Sequence, residues 1–160
     1  MGGVNAVSHF GIPVSKDDGS LVIFAEAHAA LTAYVPYAVT ADRDTTDNNQ
    51  DGSNDNTGYA KTKVPVTLAV DHYIGVPQRS YASGKIAELL IGGAGKMAVN
   101  NVTSALTGGT TFLKVLNTGV VGQGDGTTQT DESIAFACED QDSATTSNIN
   151  VQMLGKASQV

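Results

Sequence analysis

The sequence predicts an all-β fold, a compact antiparallel β-barrel or sandwich, and three observations carry that prediction. Apolar runs are short and recur with turn signals between them, the pattern of several brief strands. Glycine (18 residues) and threonine are abundant while charged residues make up only 16%, a composition that suits pleated surfaces and tight turns. No apolar-periodic window is long enough to hold a helix without tertiary support. A chain of 160 residues has the size of one ordinary domain. We divide it into an irregular N-terminal arm, 1–20, and a single β domain, 21–160, with long polar loops that include an acidic Asp/Asn-rich loop at 41–58.

The elements follow in order. Residues 1–14 are small and apolar with breaks at Gly2-Gly3 and Gly11-Ile12-Pro13. They read as an arm that packs on its own core or on a neighbour. Lys16 to Ser20 contains Asp18-Gly19, a strong hairpin signal, and Leu21 to Phe24 reads as a buried strand. Ala25 to Ala33 has helix propensity but is short and flanked by strand residues, so an extended continuation is preferred. Thr32 to Thr40 is extended, and Pro36, which has no ladder donor, assigns it to a sheet edge or a bulge. Ala41 to Gly58 carries five Asp, four Asn and two Gly and can only be a solvated loop. Thr62 to Val70 and Asp71 to Val76 are strands.

Farther along, Lys85 to Ile91 and Lys96 to Val99 read as separate strands, because glycines 84, 92, 93 and 95 break the run. Val102 to Leu106 makes a turn or one helical turn, and Thr110 to Leu116 is a strand. Gly122 to Gly126 reads as a hairpin loop, and Ser133 to Cys138 and Ile149 to Leu154 are the last strands. One stretch recurs. Tyr73 to Gly92 runs from an apolar strand through a polar connection to a second apolar strand closed by glycines. About 60 residues later Ile134 to Gly155 repeats the sequence of events. The two polar connections are expected on one rim of the fold.

The net charge of −7 argues against nucleic acid as a partner, since phosphate recognition needs clustered cations. No apolar stretch reaches the length of a membrane span. The N-terminus lacks the regions of a signal peptide, and Ala6 breaks a myristoylation pattern; use without export is expected. Cys138, the single cysteine, sits in an apolar run and reads as a small buried hydrophobe. A reducing compartment suits that usage.

Chemistry is sparse. His9, His28 and His72 lack partners at metal spacing. Gly122 to Gly126 lacks the lysine and helix of a phosphate cradle, and no nucleophile elbow occurs. Glu88 and Glu139 follow the two apolar runs and read as surface acids. Asp47, Asn49, Asp51 and Asp55 repeat oxygen ligands as a calcium loop does, but Gly58 stands where the bidentate glutamate belongs. No enzyme and no cofactor are expected.

Ile74-Gly75-Val76, the pair Gly92-Gly93 before Ala98-Val99, and Ile134-Ala135-Phe136-Ala137-Cys138-Glu139 together carry a resemblance. They resemble the IGVA-type and IGxALE-type strand ends of small capsid cement (decoration) proteins of tailed bacteriophages, with Ala135 in place of glycine and Cys138 in place of leucine. The similarity covers residues 60–155. It implies a tulip-like β core and a non-enzymatic structural role in the virion, on the outer capsid surface, of a protein made in the host cytoplasm. The implied partners are the major capsid protein and further copies of the chain in a homotrimer. Arm residues Val4, Val7, Phe10, Ile12 and Val14 are where burial between subunits is expected. The competing reading is a host-surface or glycan-binding β-sandwich that uses the Asp47 to Asp55 loop with calcium.

Overall fold

The computed structural model describes residues 12–40, 61–63, 72–100, 105–115, 122–130, 133–142, 146–155 and 157–158. Among them there is no helix; the fold is all-β. The strands are β1 (Val14–Ser15), β2 (Leu21–Glu26), β3 (Tyr37–Thr40), β4 (Lys61–Lys63), β5 (His72–Pro77), β6 (Ile86–Asn100), β7 (Phe112–Val115), β8 (Gly122–Gly126), β9 (Ala135–Ala137), β10 (Thr146–Leu154) and β11 (Ala157–Ser158). They join in one 11-stranded sheet ordered β1-β2-β4-β3-β5-β6-β10-β9-β7-β8, with β11 beside β5. The sheet does not close into a single barrel.

The organising element is β6, 15 residues long. Its first part lies against β2 and β5, and its second part against β10. Its glycines predict two separate strands, Lys85 to Ile91 and Lys96 to Val99, where the structure has one. Glycine breaks a strand when nothing compensates its lost side-chain packing, and here close backbone approach compensates. A side chain on Gly92 would stand 3.0 Å from Leu21 Cβ and 3.3 Å from Gly155 Cα. Gly93, at φ +98°, takes a conformation that other residues rarely hold, and the strand continues through it.

Pairing returns on itself twice, and the two circuits correspond strand for strand. The first runs β2-β4-β3-β5-β6 and back through β2–β6; the second runs β6-β8-β7-β9-β10 and back through β10–β6. Each has one parallel bridge at the same place, Glu26 with Lys61 and Val99 with Gly122. Hydrogen bonds repeat as well. Leu31 and Tyr81 exchange both backbone bonds, at 2.9 and 3.0 Å, as Leu106 and Gln141 do at 2.8 and 3.2 Å. Tyr34 N–H donates to Pro77 O at 2.7 Å, as Gly109 N–H does to Ala137 O at 2.9 Å. Tyr34 and Gly109 both have positive φ, 68° and 78°. Ala33 N–H donates to Ser80 Oγ at 3.1 Å, and Gly108 N–H to Asp140 Oδ1 at 2.8 Å. The chain is thus a tandem repeat of one five-strand unit, with β6 serving as last strand of the first half and first strand of the second.

Two apolar clusters fill this frame, and the strands of the first half alternate between them. Ile23, Ala25, Tyr37, Val39, Leu89 and Ile91 face one cluster. Val22, Ala38, Ile74, Val76 and Leu90 face the other, which continues through Met97, Val99, Leu113, Ile149, Val151 and Met153. Burial of both faces explains the unbroken runs Leu21 to Ala25 and Leu89 to Ile91, since an alternating pattern needs one wet face. The outer face of the first half and the interior of the second therefore share one core.

Other sequence expectations meet mixed outcomes. Ala25 to Ala33 contains no helix, in line with the extended continuation preferred above: Ala25 and Glu26 stay in β2 and Leu31 forms a bridge to Tyr81. β3 is an interior strand between β4 and β5, since Pro36 precedes it and no ladder donor is lost. Gly122 to Gly126 pairs with β7 as a strand rather than forming a loop. The Asp18-Gly19 turn does form, with Ser20 N–H and Oγ bound to Asp18 Oδ1 at 2.9 and 2.6 Å.

The buried Gln141 ties the second half together: its Nε2 donates to Val99 O at 2.7 Å. Replacing it with methionine keeps the volume and removes that donor. The expected cost is about 1–3 kcal/mol, the desolvation penalty of an unpaired buried carbonyl. Urea denaturation of the two proteins checks it, and an unchanged midpoint would count against the bond.

Candidate functional site

The two recurring connections leave corresponding strands, and their first residues, Gln78 and Cys138, line the same open cleft. Tyr34, Ala94, Gly95, Lys96, Asn150 and Val151 complete a volume of about 610 Å³. Most polar groups here hold backbone. Gln78 bonds both sides of Lys96, accepting from its N–H at 2.9 Å and donating to its carbonyl at 3.1 Å. Asn150 gives its backbone N–H and its Nδ2 to the Glu139 carboxylate at 2.7 and 2.8 Å. Ala98 N–H donates to Tyr34 O at 2.7 Å. The cleft is a seam clasped between halves. Its side chains do not converge on a point where a reacting atom would sit.

The connections themselves differ in charge. The first, between β5 and β6, exposes Arg79 and Lys85, followed by Ile86, which is 40% exposed. The Arg79 guanidinium lies over the Tyr81 ring at 5.0 Å and donates to its hydroxyl at 3.1 Å. That bond pushes the Arg79 pKa further up. The second connection, between β9 and β10, carries Glu139, Asp140 and Asp142 and no cation. Corresponding turns of the two halves thus present opposite signs.

Their sheet faces differ too. In the first half the outer face, with Ala38, Ile74, Val76 and Leu90, is buried. In the second half Phe112 and Phe136 lie edge to face, 5.1 Å between centroids, and are only half-buried, with Gln152 exposed beside Phe136.

Val4, Val7 and Phe10 of the arm, and Asp47, Asn49, Asp51 and Asp55 of the acidic loop, lie outside the described residues. Ile12 is 45% exposed, and Val14 packs against the shared core of its own chain. Cys138 is exposed, which corrects the buried reading: Ala135 and Ala137 point inward, and the turn begins at Cys138. Glu88 is half-buried and receives the Lys16 amine at 2.9 Å. Glu139 is a backbone clamp. Among the described residues no three His, Cys, Asp or Glu side chains are grouped to hold a metal ion. The opposed charges of the two connections went unread in the sequence, although aligning Tyr73 to Gly92 with Ile134 to Gly155 sets Arg79 beside Glu139.

The hairpin at Asp18 has a defined pH response. Hydrogen bonds from Ser20 hold the Asp18 carboxyl below its ordinary value. A carboxyl with a lowered folded pKa contributes stability above its unfolded pKa and loses it as pH falls through the folded one. Lys16 is held above its ordinary value by Glu88, so its contribution is lost only in strong alkali. The melting temperature of Asp18→Asn should therefore lie below that of the wild type at pH 7. The two should converge as pH drops below the ordinary carboxylate range, and a constant gap would refute the assignment.

No protein-family model and no curated protein matches the chain. Among solved structures it is similar to the N base of head fiber gp8.5 in bacteriophage phi29, with a TM-score of 0.49 and 12% sequence identity over 87% of this chain and 96% of that one.

Proposed function

We propose that this chain is a non-enzymatic structural protein of a bacteriophage head, a capsid cement (decoration) protein. In this reading it binds the outer surface of the assembled shell and bridges neighbouring major capsid subunits, acting as a homotrimer. One observation carries the reading. The two stretches that resemble the cement family, Ile74-Gly75-Val76 and Ile134 to Glu139, fall on corresponding strands of a duplicated unit. Each leads into a rim pinned by its own polar side chains, Gln78 and Ser80 in one, Glu139 and Asp140 in the other. Rigid rims favour surface recognition, because little ordering entropy is lost on contact.

A protein that binds only the assembled lattice stabilises it by mass action, and joined copies add avidity. The test is to add the purified full chain to expanded shells that lack it. Saturable binding and a raised rupture temperature are expected. Absence of both would end the proposal.

A further inference from the structure

We infer that the cleft between the two halves is a binding site for a neutral oligosaccharide. The first observation is a strained tyrosine. Tyr34 and Gly109 occupy corresponding turns of the repeat, with φ of 68° and 78°. Each donates its N–H to the last residue of a matching strand, Pro77 of β5 or Ala137 of β9. Glycine takes that conformation readily, whereas a bulky residue there is an outlier. The first half nonetheless keeps an aromatic ring at this position, packed against its own cluster and lining the cleft of about 610 Å³. Backbone strain of this kind concentrates where ligands are held.

The groups around that ring select the ligand. Lys96 and Asn150 pair across β6 and β10, and both are exposed. The Glu139 carboxylate orients the Asn150 amide, which still has a donor and an acceptor to offer. In the next row Gln152 lies between Ala94 and Phe136, and Phe112 follows Phe136. That row spans about 14 Å at the usual strand spacing, long enough for more than one sugar ring. Aromatic carbon, a small side chain at Ala94 and amides that both give and take hydrogen bonds suit a pyranose, which has apolar C–H faces and a rim of hydroxyls. Charge narrows the choice. The residues after Gln78 and Cys138 give the cleft one rim with Arg79 and one with Glu139 and Asp140. An anion is repelled by the acidic rim and a cation by the basic one, while a hydroxyl accepts from a guanidinium and donates to a carboxylate. The inference rests on this cleft and not on shell binding.

The experiment is titration of the full chain, followed by NMR shifts, with maltotriose, cellotriose and N-acetylchitotriose as neutral probes. Trigalacturonate and the chitosan trimer are the charged comparisons. At least one neutral probe should bind, with shifts centred on Tyr34, Lys96, Asn150 and Gln152. Its affinity should change little with salt and survive a chelator. Tyr34→Gly installs the residue that the matching turn already uses, so the backbone is kept and the ring is lost. A loss of about tenfold or more in Kd is expected. Gln152→Ala, at an exposed position, should weaken binding independently of the turn. Circular dichroism melts check that each variant is folded. A merely structural Tyr34 would move the melting temperature and leave the affinity alone. That result overturns the inference, as would binding of charged probes only, loss of binding in chelator, or no shift with any neutral probe. Shell binding is scored in a separate assay, so failure of this site and failure of the capsid reading are distinguishable.

Discussion

Leu90→Ala is expected to lower the unfolding free energy by about 2–5 kcal/mol, the range for a large-to-small change at a core site that cannot fully collapse. Leu90 is 5% exposed and sits on the first part of β6, paired with Val22 and Val76. It belongs to the cluster that runs on into Met97, Val99 and Val151 of the second half. The loss should therefore be felt in both halves. Hydrogen exchange should show β2 and β10 losing protection together, and equilibrium unfolding should remain one transition. Leu89→Ala is the control, because Leu89 is fully buried in the cluster confined largely to the first half. If the Leu90 variant lost protection only in β2 and β5, the shared core would be wrong.

Gly75→Ala should cost about 1–3 kcal/mol through overpacking. A methyl group at Gly75 would lie 2.6 Å from Leu89 Cβ and 3.3 Å from Ile91 Cγ2. The nearest atom is a Cβ, fixed to the backbone, so no rotamer change relieves the clash and β5 must move away from β6. Gly84→Ala is the comparison: its added Cβ meets nothing within 4 Å, but its φ of +74° is itself strained for alanine. The two variants separate packing from backbone strain. Gly75→Ala should perturb side-chain signals of Leu89 and Ile91, whereas Gly84→Ala should disturb the turn alone. Unchanged Leu89 and Ile91 signals in Gly75→Ala would remove the close-approach explanation for this glycine.

Much of the frame was legible because it depends on neighbours along the chain. Asp18-Gly19 is a turn by local chemistry, and the structure has the turn, closed by Ser20. Ser133 to Cys138 reads as strand, and its middle, Ala135–Ala137, is strand. The recurrence of Tyr73 to Gly92 was visible as a pattern of apolar runs. Its full extent was not, because Leu31 and Leu106 join the corresponding turns through single bridges to Tyr81 and Gln141, contacts that leave almost no mark on composition. The glycines of β6 misled for a related reason. Whether glycine breaks a strand depends on what approaches it, and Leu21 and Gly155 approach Gly92 from far along the sequence.

The candidate surface divides in the same way. Arg79, Lys85, Glu139, Asp140 and Asp142 are plain in the sequence, and their turns are set by the polar connections that hold them. That these turns correspond, and carry opposite signs at like positions, needs the pairing of β5 with β6 and of β9 with β10. Nothing in Phe112 or Phe136 marks them as outward-facing, since either would serve as core in an alternating strand. Local turn chemistry and strand patterning are enough to call an all-β chain with recurring strand pairs. That one long strand serves both halves, that the first half is buried on both faces, and that among the described residues Phe112 and Phe136 of the second half are only half-buried are tertiary outcomes. Those outcomes depend on which distant surface covers each strand, and a one-dimensional pattern does not encode it.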